Sequence, residues 1–334
     1  RHRARRPGVP AVAAEPAINY LCATFLLSGL YIFYGQPITP PHASAIIVGS
    51  AADKAGFEPH DVVLKIDGRS VGRFEDIRRE VTVKLDTPTD FVIQRGDKIV
   101  NITASPLRME SEDNHGFKQS RGFLGIVSPS DGIDIAHVVA VDGIKVSDAD
   151  HARKLLLSRM GTVFVVEMDR GEAQGKIRVH PMAEHNKAIS DPQSEAYNSL
   201  VIAEGGAETF IKAGVFASIG HAAQETWNIS VSTLEAIGQM FNGTRSAKEL
   251  GGIIRIGAVA GDMAQIGLVA MISFTAMLSI NLGLINLFPI PLLDGGHLVF
   301  YVFEAVRGRP LSEQIQEYAF RLGLVILVGI MVFA

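Results

Sequence analysis

The chain has 334 residues, a formal net charge of -4 and a pI near 6.2, a balance that argues against nucleic-acid binding. Its single cysteine, Cys22, excludes an internal disulfide framework. Apolar residues cluster at the two ends while Asp, Glu, Lys and Arg crowd the middle, the pattern of a membrane protein with a soluble insert.

In chain order, residues 1–16 read as a cytoplasmic basic segment carrying Arg1, Arg3, Arg5 and Arg6. Ala17 to Tyr34 has no charge and predicts a spanning helix over 17–35, near the ~17–20 residue minimum for crossing hydrocarbon. A signal peptide is the competing reading, but no Ala-x-Ala-like cleavage site follows. A chain that opens on Arg1 reads as a fragment or processed product with something missing upstream.

The soluble middle contains a repeat. Residues 62–106 and 137–181 align without a gap, with ten identities that include Asp67/Asp142, Gly68/Gly143, Arg78/Arg153, Arg95/Arg170 and Pro106/Pro181. Each copy predicts a strand, an Asp-Gly turn, a short helix (74–85 and 149–160) and a hairpin turning at Arg-Gly. Two tandem domains, 42–106 and 121–182, follow from this, joined by a polar linker over Leu107 to Ser120. The run from Gly49 through Ala55-Gly56 to Asp61-Val62-Val63 and Ile66-Asp67-Gly68 resembles the bacterial PDZ pattern, with His60 where Gly is usual. That resemblance implies a peptide groove near Ala45, Ile46, Ile47 and Val48, facing Asp76 to Val83, in which an added strand is held by main-chain bonds. The second copy lacks the Ala-Gly stretch and reads as a degenerate binder. Both copies could also serve only as spacers or as a steric filter.

Residues 194–262 read as a periplasmic amphipathic helical region, with a helix at about 206–243 that contains Trp227. It lies on the membrane surface or packs as an ordinary helix. Residues 263–303 form a membrane segment whose second span covers Ile266 to Phe288; a cytoplasmic loop, 304–321, and the start of a last span, 322–334, complete the chain. Arg307, Arg309 and Arg321 between the later spans, with the basic start, place both groups in the cytoplasm and residues 36 to 262 on the far side.

The segment Asn286-Leu287-Phe288-Pro289-Ile290-Pro291-Leu292-Leu293-Asp294-Gly295-Gly296 puts a carboxylate inside a membrane segment, at a cost of roughly 2.5–3.5 kcal/mol on insertion scales. A partner charge, water or a metal ion must compensate it. The prolines and glycines interrupt the helix, and such backbone survives at membrane depth only where it is buried or lines a cavity. His297, three residues after Asp294, could share its helical face as a metal pair or be an interfacial His.

This Asn-x-x-Pro-x-Pro-x-x-Asp-Gly-Gly pattern resembles the second signature of the site-two protease family of intramembrane zinc metalloproteases. Leu250 to Ile256 resembles the segment that precedes it, with Ile253 for the usual Pro, and Glu15-Pro16-Ala17-Ile18-Asn19 resembles a Gly-Pro-x-x-Asn motif. With the PDZ-like copies, the resemblance points to the regulator-of-sigma-E branch. It implies a multi-pass α-helical protein of the bacterial inner membrane, with a periplasmic α+β insert of two tandem PDZ-like domains. It also implies a catalytic zinc with Asp294 as one ligand, two more from a His-Glu-x-x-His helix, and Asn286 holding substrate backbone or a developing oxyanion. Pro289, Pro291, Gly295, Gly296 and Asn19 would shape the site. The implied partners are the lipid bilayer and a membrane-protein substrate with a transmembrane helix, such as an anti-sigma factor or remnant signal peptide.

No His-Glu-x-x-His stands in this sequence, so the helix that bears it is expected upstream of Arg1. A membrane-anchored PDZ adaptor or pseudoprotease is the alternative. A PDZ-bearing serine protease is disfavoured, because no Gly-Asn-Ser-Gly-Gly segment is present.

Overall fold

A computed structural model describes residues 9–113, 115–169, 174–202, 209–246, 249, 252–309 and 311–333. The described α-helices, in chain order, are α1 (Val9–Phe33), α2 (Ala51–Ala55), α3 (Phe74–Val83), α4 (Ala149–Ser158), α5 (Val215–Phe241), α6 (Ile253–Ile266), α7 (Leu268–Asn286), α8 (Asp294–Arg307) and α9 (Glu313–Phe333). They divide between two compact units: a β-rich one, 37–111 with 120–211, and a helical one, 1–36, 112–119 and 212–334.

In the β-rich unit the repeat is built from the same bonds twice, at positions 75 residues apart (142 minus 67). Asp67 and Asp142 both turn through positive φ, 47° and 48°. Their amides donate to the carbonyls of Asp90 and Val165, each at 2.8 Å. Their carboxylates accept from the amides of Asp90 and Val165 at 3.0 and 2.9 Å, and are salt-bridged to Lys84 and Arg159. The strand Asp61–Ile66 slips register between Val63 and Lys65 and its counterpart Val138–Val141 slips between Val138 and Ala140, so even the bulge is repeated. A short polar side chain that bonds its own turn tolerates left-handed backbone, which is why Asp-Gly serves here. The hairpin at Arg95-Gly96 is present; its counterpart at Arg170-Gly171 lies outside the described residues. The two helices end at Val83 and Ser158, two residues before the expected ends.

Two independent domains, however, are not what the copies form. The strand Ala45–Ile47 pairs on one side with Gln174–Val179 of the second copy and on the other with Ile126–Val127, inside a six-stranded sheet. Alternation explains it. Side chains of a strand point alternately to opposite faces. Ile46 enters the first copy's core with Phe57, Phe91 and Ile93, while Ala45 and Ile47 face the second core with Leu156, Val166 and Val179. Ile126 and Val127 divide in the same way. The short wall belongs to both cores, so the boundary expected between 106 and 121 does not separate two sheets. Arg178 of the second copy also ion-pairs with Asp53 of the first at 2.7 Å.

His60 stands at φ 72°, the reason glycine is usual at that position, and its Nε2 lies 2.6 Å from the His180 carbonyl oxygen. Arg95, one of the repeated arginines, forks onto the buried Asp61 at 2.7 and 2.6 Å. Its role is structural.

The helical unit corrects several boundaries. α1 begins at Val9, so the segment 1–16 is partly helical; residues 1–8, with the four arginines, lie outside the described residues. The stretch Leu107 to Ser120, expected as a linker, contributes to a hairpin of Leu107–Glu112 with Lys118–Phe123. Its tip meets α6, where Arg255 lies 3.5 Å from Asp113 and 3.1 Å from Gln119, and His115 lies 2.9 Å from Asp262. The region expected to be helical from 206 includes the strand Thr209–Ile211, and its helix, α5, starts at Val215. α5 packs on α1 through Ala222, Thr226 and Ser230, with hydroxyl contacts Thr24 to Thr226 at 3.3 Å and Tyr20 to Ser230 at 3.1 Å. Trp227 points away and is exposed. One face of this helix is thus packed and the other exposed. The expected loop 304–321 is mostly helix, because α8 runs to Arg307 and α9 starts at Glu313.

Candidate metal and substrate site

Among the described residues two helices, Ala14–Phe33 within α1 and α7, are long and apolar enough to cross a membrane. They pack side by side. A Cβ added at Gly283 of α7 would sit 3.1 Å from the Asn19 Cβ and 3.1 Å from the Tyr20 ring, and the Ser279 hydroxyl donates to the Asn19 carbonyl at 2.9 Å. Asn19, expected to shape the site, is thus at the α1–α7 contact, one helical turn from Gly283 to Asn286.

Asn286 is the last residue of α7. The helix then tightens into three-residue bonds, Leu287 N–H to Leu284 O and Phe288 N–H to Ile285 O, each 3.0 Å, before Pro289 and Pro291 forbid its continuation. The chain turns at Leu292, whose φ is 113°, and restarts as α8 at Asp294. Gly295 and Gly296 are buried beneath the turn they follow. A Cβ at Gly295 would collide with the Leu287 and Phe288 carbonyls; one at Gly296 would come within 2.5 Å of the Ile290 carbonyl oxygen. Only glycine permits that approach. The two prolines and two glycines therefore form one folded-back turn, with Asp294 at its exit.

Asp294 occupies the first turn of α8, where the helix dipole favours a negative charge. Its Oδ2 is buried and has no hydrogen-bond partner. A buried carboxylate oxygen without a partner is costly, and a cation removes the cost. The residue therefore fits one ligand position of a divalent metal. Among the described residues no group of three or more His, Cys, Asp or Glu gathers that could complete such a site. His297 does not join Asp294; its ring packs 5.4 Å from Phe320 and 6.3 Å from Phe300.

The expected peptide groove at Ala45 to Val48 is not an open edge. Ile47 N–H donates to Gly125 O and Val48 N–H to Lys176 O, each at 2.8 Å, so this stretch is bonded on both sides. Among the described residues the edges of that sheet are the two-residue strands Ile126–Val127, beside this stretch, and Ile144–Lys145. Sequence reasoning also missed Gly323 and Gly283. Each is a glycine inside an apolar helix, a signal of close helix approach.

The chain matches the model of peptidase family M50 over residues 5–330. It is 32% identical to a putative zinc metalloprotease of Agrobacterium fabrum over 97% of this chain and 66% of that protein. It is 30% identical to the regulator of sigma E protease of Haemophilus influenzae over 97% of this chain and 76% of that protein. With metalloprotease MmpA of Caulobacter vibrioides the identity is 26% over 96% and 65%. The chain thus spans about two thirds of the length of relatives that it matches almost from end to end of itself. A family match of that extent, over the turn that presents Asp294, places the chain in peptidase family M50, the site-two proteases.

Proposed function

We propose that the protein is an intramembrane zinc endopeptidase of the bacterial inner membrane, cutting transmembrane segments of other membrane proteins in regulated intramembrane proteolysis. The observation that carries this is the buried, partnerless Oδ2 of Asp294 at the exit of a helix break that follows an apolar helix. Asp294 would hold the zinc together with ligands from a His-Glu-x-x-His helix outside this chain. Bound zinc supplies a nucleophilic water near neutral pH and polarises a carbonyl.

The chain's own residues do the rest. The interrupted backbone at Leu287 to Leu293 gives an extended substrate something other than closed helix to lie against. Asn286, at the end of α7, offers a side-chain amide that would hold a substrate carbonyl or its developing oxyanion. Ligand and amide reach the reaction from opposite ends of one turn.

On this reading α1 and α7 span the membrane, the basic flanks stay in the cytoplasm, and residues 36–214 with 242–262 face the periplasm, while α5 lies beside the two spans through Thr226 to Thr24 and Thr233 to Asn281. α6, with Arg255 and Asp262 in polar contact with the hairpin tip, lies outside the hydrocarbon, so the second span starts after Gly267. The two repeats act as PDZ-like domains. The edge beside the expected groove, Ile126–Val127, is two residues long and offers few main-chain bonds there, which favours a steric filter over tight peptide capture at that place. Candidate substrates are an anti-sigma factor or a remnant signal peptide whose ectodomain has been trimmed.

The test is Asp294→Asn in the complete protein with a transmembrane reporter. Cleavage is expected to fall by more than about a hundredfold, with loss of bound zinc, as for removal of one of three catalytic ligands. Unchanged cleavage and zinc content would remove Asp294 from the site, and a complete protein that neither holds zinc nor cleaves would be an adaptor or pseudoprotease.

A further inference from the structure

α9 exposes most of its residues, yet Gly323 is buried. A Cβ added there would collide with the carbonyl oxygen of Pro291, and would lie 2.8 Å from its carbonyl carbon and 3.1 Å from its Cβ. The obstacle is backbone, which cannot rotate away as a side-chain tip can. One turn earlier on α9, Phe320 packs 5.4 Å from the His297 ring and 6.0 Å from Phe300. α9 therefore touches the motif at two places: the peptide of Pro291 through Gly323, and His297 through Phe320.

Asp294 lies midway between those points, three residues from each. The stretch between them is held locally by Leu293 N–H to Ile290 O and Gly296 N–H to Leu293 O, each at 3.0 Å. It contains a non-glycine residue at positive φ, Leu292, whose backbone is strained and must be held by its surroundings. The other glycine in the second half of α9, Gly329, has nothing within 4 Å of an added Cβ. Propensity does not explain the burial of Gly323, since glycine weakens a helix wherever it stands. Contact with Pro291 does.

We infer that Gly323 is a positioning residue for Asp294: α9 seats the Pro291 peptide against its own backbone and so fixes the turn that aims the carboxylate. The structural part stands on geometry alone, and its effect on catalysis rests on the zinc-peptidase reading above. A cleft of about 480 Å³ opens beside this contact, lined by Leu292, Gln316, Glu317, Phe320, Arg321 and Leu324, so the seat can be probed from outside.

The experiment uses the complete protein in a cysteine-free background that includes Cys22→Ser, with Leu292→Cys as a reporter thiol. Its rate of modification by a maleimide is compared for Gly323, Gly323→Ala and Gly329→Ala, alongside zinc retained against a chelator and cleavage of a transmembrane reporter. Gly323→Ala is expected to change the labelling rate at least about fivefold and to lower zinc retention and cleavage at least about tenfold, the scale of lost ligand support. Gly329→Ala is expected to behave as the parent. Labelling and zinc retention of Gly323→Ala equal to the parent would overturn the proposal. If Asp294→Asn leaves zinc and cleavage unchanged, Asp294 is not a ligand and the catalytic part of the inference fails, while the labelling rate still decides the seat. Should Gly323→Ala not accumulate, Leu292→Cys with Leu324→Cys in the otherwise intact protein gives the answer. Joining by a short bifunctional thiol reagent supports the seat, and no joining overturns it.

Discussion

The β-rich unit and the helical unit bury their apolar residues in opposite ways. In the β-rich unit Phe57 and Phe91 are fully enclosed and meet edge to face at 5.4 Å, and Asp61 and Arg153 are buried only with ion-pair partners. In the helical unit Leu21 and Phe25 of α1 are 69% and 77% exposed, while the contacts between helices are made by Ala23, Ala222, Ala276, Gly283 and hydroxyl pairs. The first unit is held by removing apolar area from water. The second puts its apolar area where lipid would be and coheres through close approach and hydrogen bonds, as membrane helices do. The difference teaches which unit water holds together and which it does not.

Substitutions can break or sharpen that contrast, each read by amide hydrogen exchange on the intact chain in lipid micelles. The largest effect is expected from Phe57→Ala, which should destabilise the β-rich unit by about 3–5 kcal/mol, seen as faster exchange over 61–66 and 89–95. Phe25→Ala should leave exchange in α1 close to the parent. Equal losses from the two would abolish the distinction between the units. Gly283→Leu forces α1 and α7 apart and should cost about 1–3 kcal/mol by overpacking, with faster exchange in both helices.

Asp53→Asn is a smaller change with a pH signature. The Gly49 N–H does most to hold the Asp53 carboxyl below its ordinary value of 3.8, and Arg178 adds to this against the opposing effect of burial. A carboxylate with a lowered folded value contributes stability that is complete above the ordinary value and is lost as pH falls through the folded one. The parent should therefore lose protection over 45–55 and 174–179 below about pH 4, and the Asn variant should already lack that increment at pH 7 and lose less of what remains. An unchanged acid limb would remove Asp53 from the contact between the copies. A small effect is expected for Thr226→Val, about 0.6 kcal/mol for one hydroxyl pair between membrane helices, seen as slightly faster exchange at Tyr20 to Thr24.

Much of this molecule is legible without coordinates. The identities at Asp67/Asp142 carry the same turn, bulge and amide bonds in both copies, because those features are local: a short carboxylate, a glycine and an alternating strand settle them within a few residues. The motif from Asn286 to Gly296 likewise announces its own break, since two prolines cannot continue a helix. The uncharged stretch of α1 after Glu15 and the uncharged length of α7 follow from composition alone.

What the sequence could not decide is which surfaces meet. Ala45 to Ile47 has the alternation of a strand but nothing in it names its neighbours, and only the two cores on its faces place it between strands of the second copy. α5 has a face suited to a membrane surface or to another helix, and only the hydroxyls of Thr24 and Tyr20, some 200 residues earlier in the chain, show that it packs against α1. Gly323 looks like any glycine in an apolar helix until the Pro291 carbonyl is found against it. Local chemistry sets turns and breaks because its partners are adjacent in the chain; packing partners are set by the shape of the whole, and a sequence lists them without joining them.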